Sequence, residues 1–147
     1  MKTPLKITTL ILLLFTVTTT SAQDKVILFT KLPVKAQTFV KKHFSEKDVA
    51  TITMDTEYLF KKEYKVVLKN GSKIEFDADG EWEEVEMKGI PVPTQIISPA
   101  ISQHIHKSFP NTFVKEIKRG RRGYEIEISN GLDLEFSKEG EFIRVDD

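Results

Sequence analysis

Apolar residues fall at every second position through Tyr64, Val66 and Leu68, and again through Tyr124, Ile126 and Ile128. A period of two predicts strands with one buried face. The alternation resumes at Ile74 and Phe76, and at Leu134 and Phe136. Elsewhere the period lengthens. Ala36, Phe39, Val40, His43 and Phe44 lie at i, i+3, i+4, i+7 and i+8, one face of a helix, with Lys35, Lys41 and Lys42 pointing away. Leu32-Pro33 opens this helix, with proline expected at its first position. Ile101, Ile105 and Phe109 stripe a second helix, with Ser98 as N-cap, Pro99 at N1 and Pro110 as the stop. Strands are predicted over residues 49–55 and 113–119, from Trp82 and Phe142 onward, and as an edge strand within 26–29.

These patterns occur twice. Residues 64–82 read YKVVLKNGSKIEFDADGEW and residues 124–142 read YEIEISNGLDLEFSKEGEF, at an offset of sixty without a gap. Helix landmarks are offset by 65 to 66, so the first half carries about five extra residues near 55–61, including Tyr58 and Phe60. Residues 87–94, with Pro91 and Pro93, link the halves. Internal repetition at this period defines the architecture.

The register of each Asn-Gly hairpin follows from parity. A two-residue turn at Asn70-Gly71 would set Leu68 on the face of Lys73, and Ile128 on that of Asp133. A three-residue loop with Gly71 as a left-handed bulge pairs Leu68 with Ser72, Val66 with Ile74 and Tyr64 with Phe76. It likewise pairs Ile128 with Leu132, Ile126 with Leu134 and Tyr124 with Phe136. The apolar pattern selects the bulged form. Turns at Asp79-Gly80 and Glu139-Gly140 lead into the last strands. The predicted fold is α+β: a tandem duplication of a helix followed by about four antiparallel strands, with both helices on one sheet face.

Residues 1–22 read as a cleavable signal peptide. Lys2 and Lys6 precede an apolar run from 10 to 17 that is too short to span a bilayer, and small residues precede a cut after Ala22. Residues 23–147 then form a single domain, with repeats over 26–88 and 95–147. The chain has no cysteine, which removes disulfides, thiolate metal ligands, thiol nucleophiles and lipoprotein attachment. Without the two leader lysines, 20 basic and 22 acidic residues remain, a net charge near −2. That balance argues against general nucleic-acid or anionic-membrane binding.

The recurring order is Leu-Pro, helix, short strand, then Tyr-x-Val-x-Leu-x-Asn-Gly-x-x-Ile-x-Phe-Asp-x-Asp-Gly-x-Trp. With an export signal and duplication, it resembles the PepSY-like family of secreted bacterial proteins, common in Bacteroidetes. In fold it is similar to the β-lactamase inhibitor protein. The resemblance covers residues 26–147 and is most specific over 64–82. The second half departs from it at Ser137 and Glu139, where the first has Asp77 and Asp79. The resemblance implies a periplasmic or secreted location, an antiparallel sheet covered on one side, and a binding or inhibitory role. It brings no catalytic residues.

Candidate chemistry is sparse. His104 and His106 are two apart on a helix and point about 200° apart, so they cannot share a metal. His43 lies on an apolar stripe. The Asp77–Glu81 segment with Glu84 has a calcium-loop flavour, but lacks the full twelve-residue ligand set and reads as a turn. No nucleophile sits in a recognisable motif. The chain is therefore read as a non-enzyme without cofactor or metal.

The derived register exposes an acidic ladder on the face away from the helices. Glu125 opposes Glu135 and Glu127 opposes Asp133, whereas in the first half Lys65 opposes Glu75 and Val67 opposes Lys73. Lys115, Lys118, Arg119 and Arg144 are the cations available to neutralise it; an acidic patch awaiting a basic partner is the alternative. Arg121 and Arg122 form a basic turn, and Tyr58 and Phe60 are candidate aromatic anchors. The expected role is a non-catalytic exported binding module, an inhibitor or regulator of another exported protein, using the open sheet face. A periplasmic carrier or sensor of a small ligand or cation, and a structural accessory protein of the cell envelope, are the alternatives.

Overall fold

The computed structural model describes residues 24–57 and 61–146. Residues 1–23, on which the signal-peptide reading falls, and Tyr58, Phe60 and Asp147 lie outside the described residues. The chain runs β1 (Lys25–Val26), α1 (Val34–His43), β2 (Val49–Glu57), β3 (Lys61–Leu68), β4 (Lys73–Phe76), β5 (Trp82–Glu86), α2 (Pro99–Ser108), β6 (Val114–Arg119), β7 (Gly123–Ile128), β8 (Asp133–Ser137) and β9 (Phe142–Asp146). The nine strands among the described residues belong to one antiparallel sheet in chain order. The two halves therefore share a single sheet, joined where β5 pairs with β6.

Both Asn-Gly turns are bulged. Gly71 has φ 85° and donates to the Leu68 carbonyl, while Leu68 N donates to Ser72 O at 2.8 Å. In the second half Gly131 has φ 87° and Ile128 N donates to Leu132 O at 3.0 Å. Glycine occupies these left-handed positions without the steric penalty of a Cβ. Beyond the turns the ladders run Val66↔Ile74, Tyr64↔Phe76, Ile126↔Leu134 and Tyr124↔Phe136, the derived register.

The extra residues of the first half lengthen one hairpin. The β2–β3 pairing continues through Asp55↔Glu63 to Glu57↔Lys61, whereas β6–β7 ends at Arg119↔Tyr124.

One face of the sheet carries the core. An unbroken row crosses it: Ile52, Val66, Ile74, Val85, Ile117, Ile126, Leu134 and Val145 are paired strand to strand. All but Val145, on the outermost strand, are buried. Ala36 and Val40 of α1, and Ile101 and Ile105 of α2, are buried against this face. Phe39 meets Phe76 and Trp82, and His104 meets Phe136 and Phe142. The turns before β5 and β9 abut the helix N-termini. A Cβ on Gly80 would lie 2.6 Å from Pro33 Cβ, and one on Gly140 would lie 3.0 Å from Ser98 Oγ.

Three local expectations meet the structure. Pro33 is the residue preceding α1 rather than its first member. The edge strand is Lys25–Val26, and Phe29–Lys31 forms a 3-10 turn, because Lys31 N bonds Leu28 O and Leu32 N bonds Phe29 O. Ser98 caps α2 as expected, its Oγ accepting from Ile101 N at 3.4 Å, with Pro99 at the start. Among the described residues no helix is long and apolar enough to cross a membrane.

Candidate functional site on the open sheet face

No helix among the described residues covers the other face, and two charged rows cross it. The first runs Thr53, Lys65, Glu75, Glu84, Lys118, Glu125, Glu135 and Arg144, each paired with the next. The second runs Thr51, Val67, Lys73, Glu86, Glu116, Glu127, Asp133 and Asp146. In the first row the signs intermix. In the second, every residue from Glu86 to Asp146 is acidic, across all five strands from β5 to β9. Like charges directly opposite destabilise a sheet by up to about 1 kcal/mol per pair.

Cations offset part of this. Lys65 meets Glu75 at 2.9 Å and Lys73 meets Glu86 at 3.0 Å. Lys118 meets Glu116 at 2.5 Å and Glu84 at 3.9 Å. Lys115 pairs with Glu127. Arg144 grips Glu135 with two parallel bonds, Nε donating at 3.0 Å and the outer nitrogen at 2.7 Å, and lies 3.4 Å from Asp146. Such a bidentate fork holds the Glu135 carboxyl below the usual carboxylate range. Glu84, in the middle of the face, goes the other way. Burial raises it, and Glu116, Glu75 and Glu86 add to the effect against the pull of Lys118.

Glu125 and Asp133 are both exposed. Among the described residues no ion pair falls on either. Together with Glu116, Glu127, Glu135 and Asp146 they line a shallow depression of about 150 Å³ in which Lys118 is the lone cation. The four predicted acidic residues are thus brought together, Glu127 and Glu135 in ion pairs and Glu125 and Asp133 outside them, with Glu125 feeling Lys118 across the ladder. Arg119, expected among the neutralising cations, lies elsewhere. It shares the face of Ile117, sits 4.9 Å over the Trp82 ring and lies 3.7 Å from Glu81. Arg121 and Arg122 are exposed in the β6–β7 turn. Arg121 lines a separate groove with Asp77, Arg119 and Lys138, while the charge of Arg122 reaches Glu135. Tyr58 and Phe60 lie outside the described residues. Sequence reasoning missed Glu86, Glu116 and Asp146 and read Glu84 only with the Asp77–Glu81 segment, although their alternation with Val85, Ile117 and Val145 carried the signal.

The remaining chemistry is structural. Asp77 Oδ1 accepts from Asp79 N and Glu81 N, both at 2.9 Å, and Ser137 Oγ accepts from Glu139 N and Glu141 N at the equivalent turn. That oxygen closes a turn rather than awaiting a cation. His43 packs between Phe39 and Phe44, where burial and Lys42 lower its pKa. Among the described residues, no three acidic, histidine or cysteine groups converge as a metal centre.

A family profile described as "Putative beta-lactamase-inhibitor-like, PepSY-like" matches residues 62–144. Three solved structures align along nearly their whole length. A "putative periplasmic protein from DUF2874 family" from Bacteroides vulgatus is 37% identical, with 85% of this chain and 98% of that one covered at a TM-score of 0.79. A "putative calcium-regulated periplasmic protein" from Bacteroides thetaiotaomicron is 40% identical, with 84% and 97% covered at 0.80. A second B. vulgatus protein, "of unknown function", is 35% identical, with 85% and 100% covered at 0.79. No functionally curated protein matches the chain significantly. A bulged-hairpin sheet with helices on one face, a family profile across more than half the sequence and full-length structural relatives lead to one assignment: the chain belongs to the PepSY-like family.

Proposed function

We propose that this protein is a non-catalytic binding module of the bacterial periplasm that receives a basic surface of another exported protein on its open sheet face. The observation that supports this reading is the acidic run Glu86, Glu116, Glu127, Asp133, Asp146 on consecutive strands. A fold has no need of four like-charge pairs in a row, and retained charge of one sign gives complementarity and faster encounter with a partner of the other sign. The periplasmic descriptions of the structural relatives support the location. We read residues 1–22 as the signal peptide that would deliver it and the two halves as a tandem duplication. An inhibitory role belongs to the same reading.

The test is a pull-down from periplasmic extract with wild type and with Glu127→Lys/Asp133→Lys, at low and high salt. Partners held by the wild type should be lost from the variant and released by salt. Equal recovery by both proteins sinks the reading.

One observation favours a second reading, a cation-responsive module. On the first half of the open face, Asp55 lines another depression of about 150 Å³ beside Lys65 and Glu75, and its buried Oδ1 has no hydrogen-bond partner. An orphaned carboxylate oxygen is costly unless something positive meets it. Lys65 already holds Glu75 there, so a cation would have to displace it. The 40% identical relative described as calcium-regulated points the same way. A calcium-dependent rise in melting temperature, abolished by Asp55→Asn, is expected; no shift in excess calcium removes this reading.

A further inference from the structure

The two halves end differently. The outer edge of β5 is taken by β6, through Glu84↔Lys118, Val85↔Ile117 and Glu86↔Glu116, and Val85 is fully buried. At the offset of sixty, β9 places Arg144, Val145 and Asp146 where β5 has Glu84, Val85 and Glu86. β9 is the last strand of the sheet, so its outer edge has no sheet partner among the described residues. Its apolar side chains show the lack. Val145 is 38% exposed, Phe142 37% and Ile143 55%. Open edges with apolar side chains pair readily, and proteins usually guard them with lysine, proline or an inward charge. Here Ile143 stands where β5 has Glu83.

The charges specify the occupant. A strand adding antiparallel to β9 in the manner of β6 must put an apolar residue opposite Val145, an acid opposite Arg144 and a base opposite Asp146. β9 itself meets all three demands. About a two-fold axis through Val145, Arg144 faces the other copy's Asp146, Asp146 faces its Arg144, and the valines meet. β5 could not do this, because its valine is flanked by two acids. The opposite sheet edge, β1, is only two residues long and offers no comparable ladder.

We propose that the chain self-associates through β9, two copies joining edge to edge into one continuous sheet with the helices of both on the same side. The contact is isologous and closes on itself, so it makes dimers and not fibres. Three ladder pairs bury little area, which places the association among weak, concentration-dependent ones. It would also merge the acidic halves of two open faces, although it does not depend on what those faces bind.

Sedimentation velocity of the purified chain over a concentration series up to sub-millimolar tests this. The wild type should shift from monomer toward dimer as concentration rises. Asp146→Arg keeps the Arg144–Glu135 fork but sets arginine against arginine twice, and should weaken association by about tenfold or more. Adding Arg144→Asp to it restores opposite charges across the axis and should restore association. Glu127→Lys/Asp133→Lys should associate like the wild type. Melting curves at low concentration establish that each variant is folded. A wild type that stays monomeric, an Asp146→Arg variant that dimerises normally, or loss of association only in the open-face variant overturns the proposal.

Discussion

His104 stands edge-on to Phe136, ring centroids 5.6 Å apart and planes at 83°, and Phe39 holds the same relation to Phe76 at 5.6 Å and 83°. Each ring also lies over the first aromatic of the following strand. His104 stacks on Phe142 at 4.4 Å and 13°, and Phe39 on Trp82 at 6.1 Å and 28°. An imidazole thus performs in α2 the packing that a phenyl ring performs in α1. His104→Ala should lower stability by about 1–2 kcal/mol, with a coupling to Phe142→Ala of about 0.5–1.5 kcal/mol. A urea-denaturation double-mutant cycle measures it; strictly additive losses would show that the stacking contributes nothing beyond burial.

Gly123 opens β7 with φ 154°, and a Cβ there would sit 1.9 Å from the Phe136 carbonyl oxygen. The obstacle is backbone of β8, a strand paired on both sides, and cannot turn aside. Gly123→Ala should therefore cost more than about 3 kcal/mol. Gly131 is the control. It has φ 87° and nothing within 4 Å of the place a Cβ would occupy, so Gly131→Ala meets only conformational strain, about 1–2 kcal/mol. Comparable losses in denaturant titrations of the two variants would refute the steric account.

The raised Glu84 carboxyl gives the fold a pH dependence of known sign. The folded chain holds this proton more tightly than the unfolded chain does. Its contribution is therefore most favourable at acid pH and is lost as pH rises from the ordinary carboxylate range through the raised value. Glu84→Gln should melt about 1–3 °C above the wild type at pH 7 and lose that advantage in acid. A lower melting temperature at neutral pH would mean that the Lys118 contact outweighs burial and the neighbouring acids.

Ser72 is the buried polar side chain of the core among the described residues, and its Oγ accepts from Lys88 N at 2.9 Å. This bond ties the Asn-Gly hairpin to the start of the segment linking the halves. Ser72→Ala should cost about 1–2 kcal/mol and speed hydrogen exchange of the Lys88 amide. Unchanged exchange at that amide would refute the tie.

The hairpin register is legible in the sequence because parity leaves one choice that keeps Leu68 and Ile128 with their apolar neighbours. The cap at Ser98 is legible because its signal is local. The junction of β5 with β6 is not. The apolar alternation of Val85 and Ile117 says that each strand has a buried face, but not which strand lies beside it. Only that junction sets Glu86 opposite Glu116 and so makes the acidic run continuous. Arg119 escapes for a related reason. Its neighbours Ile117 and Lys118 fix its face once the strand is known to continue to it, and it then meets Trp82 from the helix side. The choice of Lys118 between Glu116 and Glu84 depends on side-chain reach, which no spacing rule supplies.

Strand order and chain order coincide throughout the sheet. The consequence concerns assembly rather than stability. Every strand pairs with the strands next to it in the chain, and only β1 with β2 and β5 with β6 have an α-helix, α1 and α2, between them among the described residues. No strand must wait for a distant partner or be inserted between two already paired. Folding rates rise as contacts become more local. A chain that emerges N-terminus first as it is made can therefore add each strand to the growing edge as it arrives, and β9 completes the sheet last.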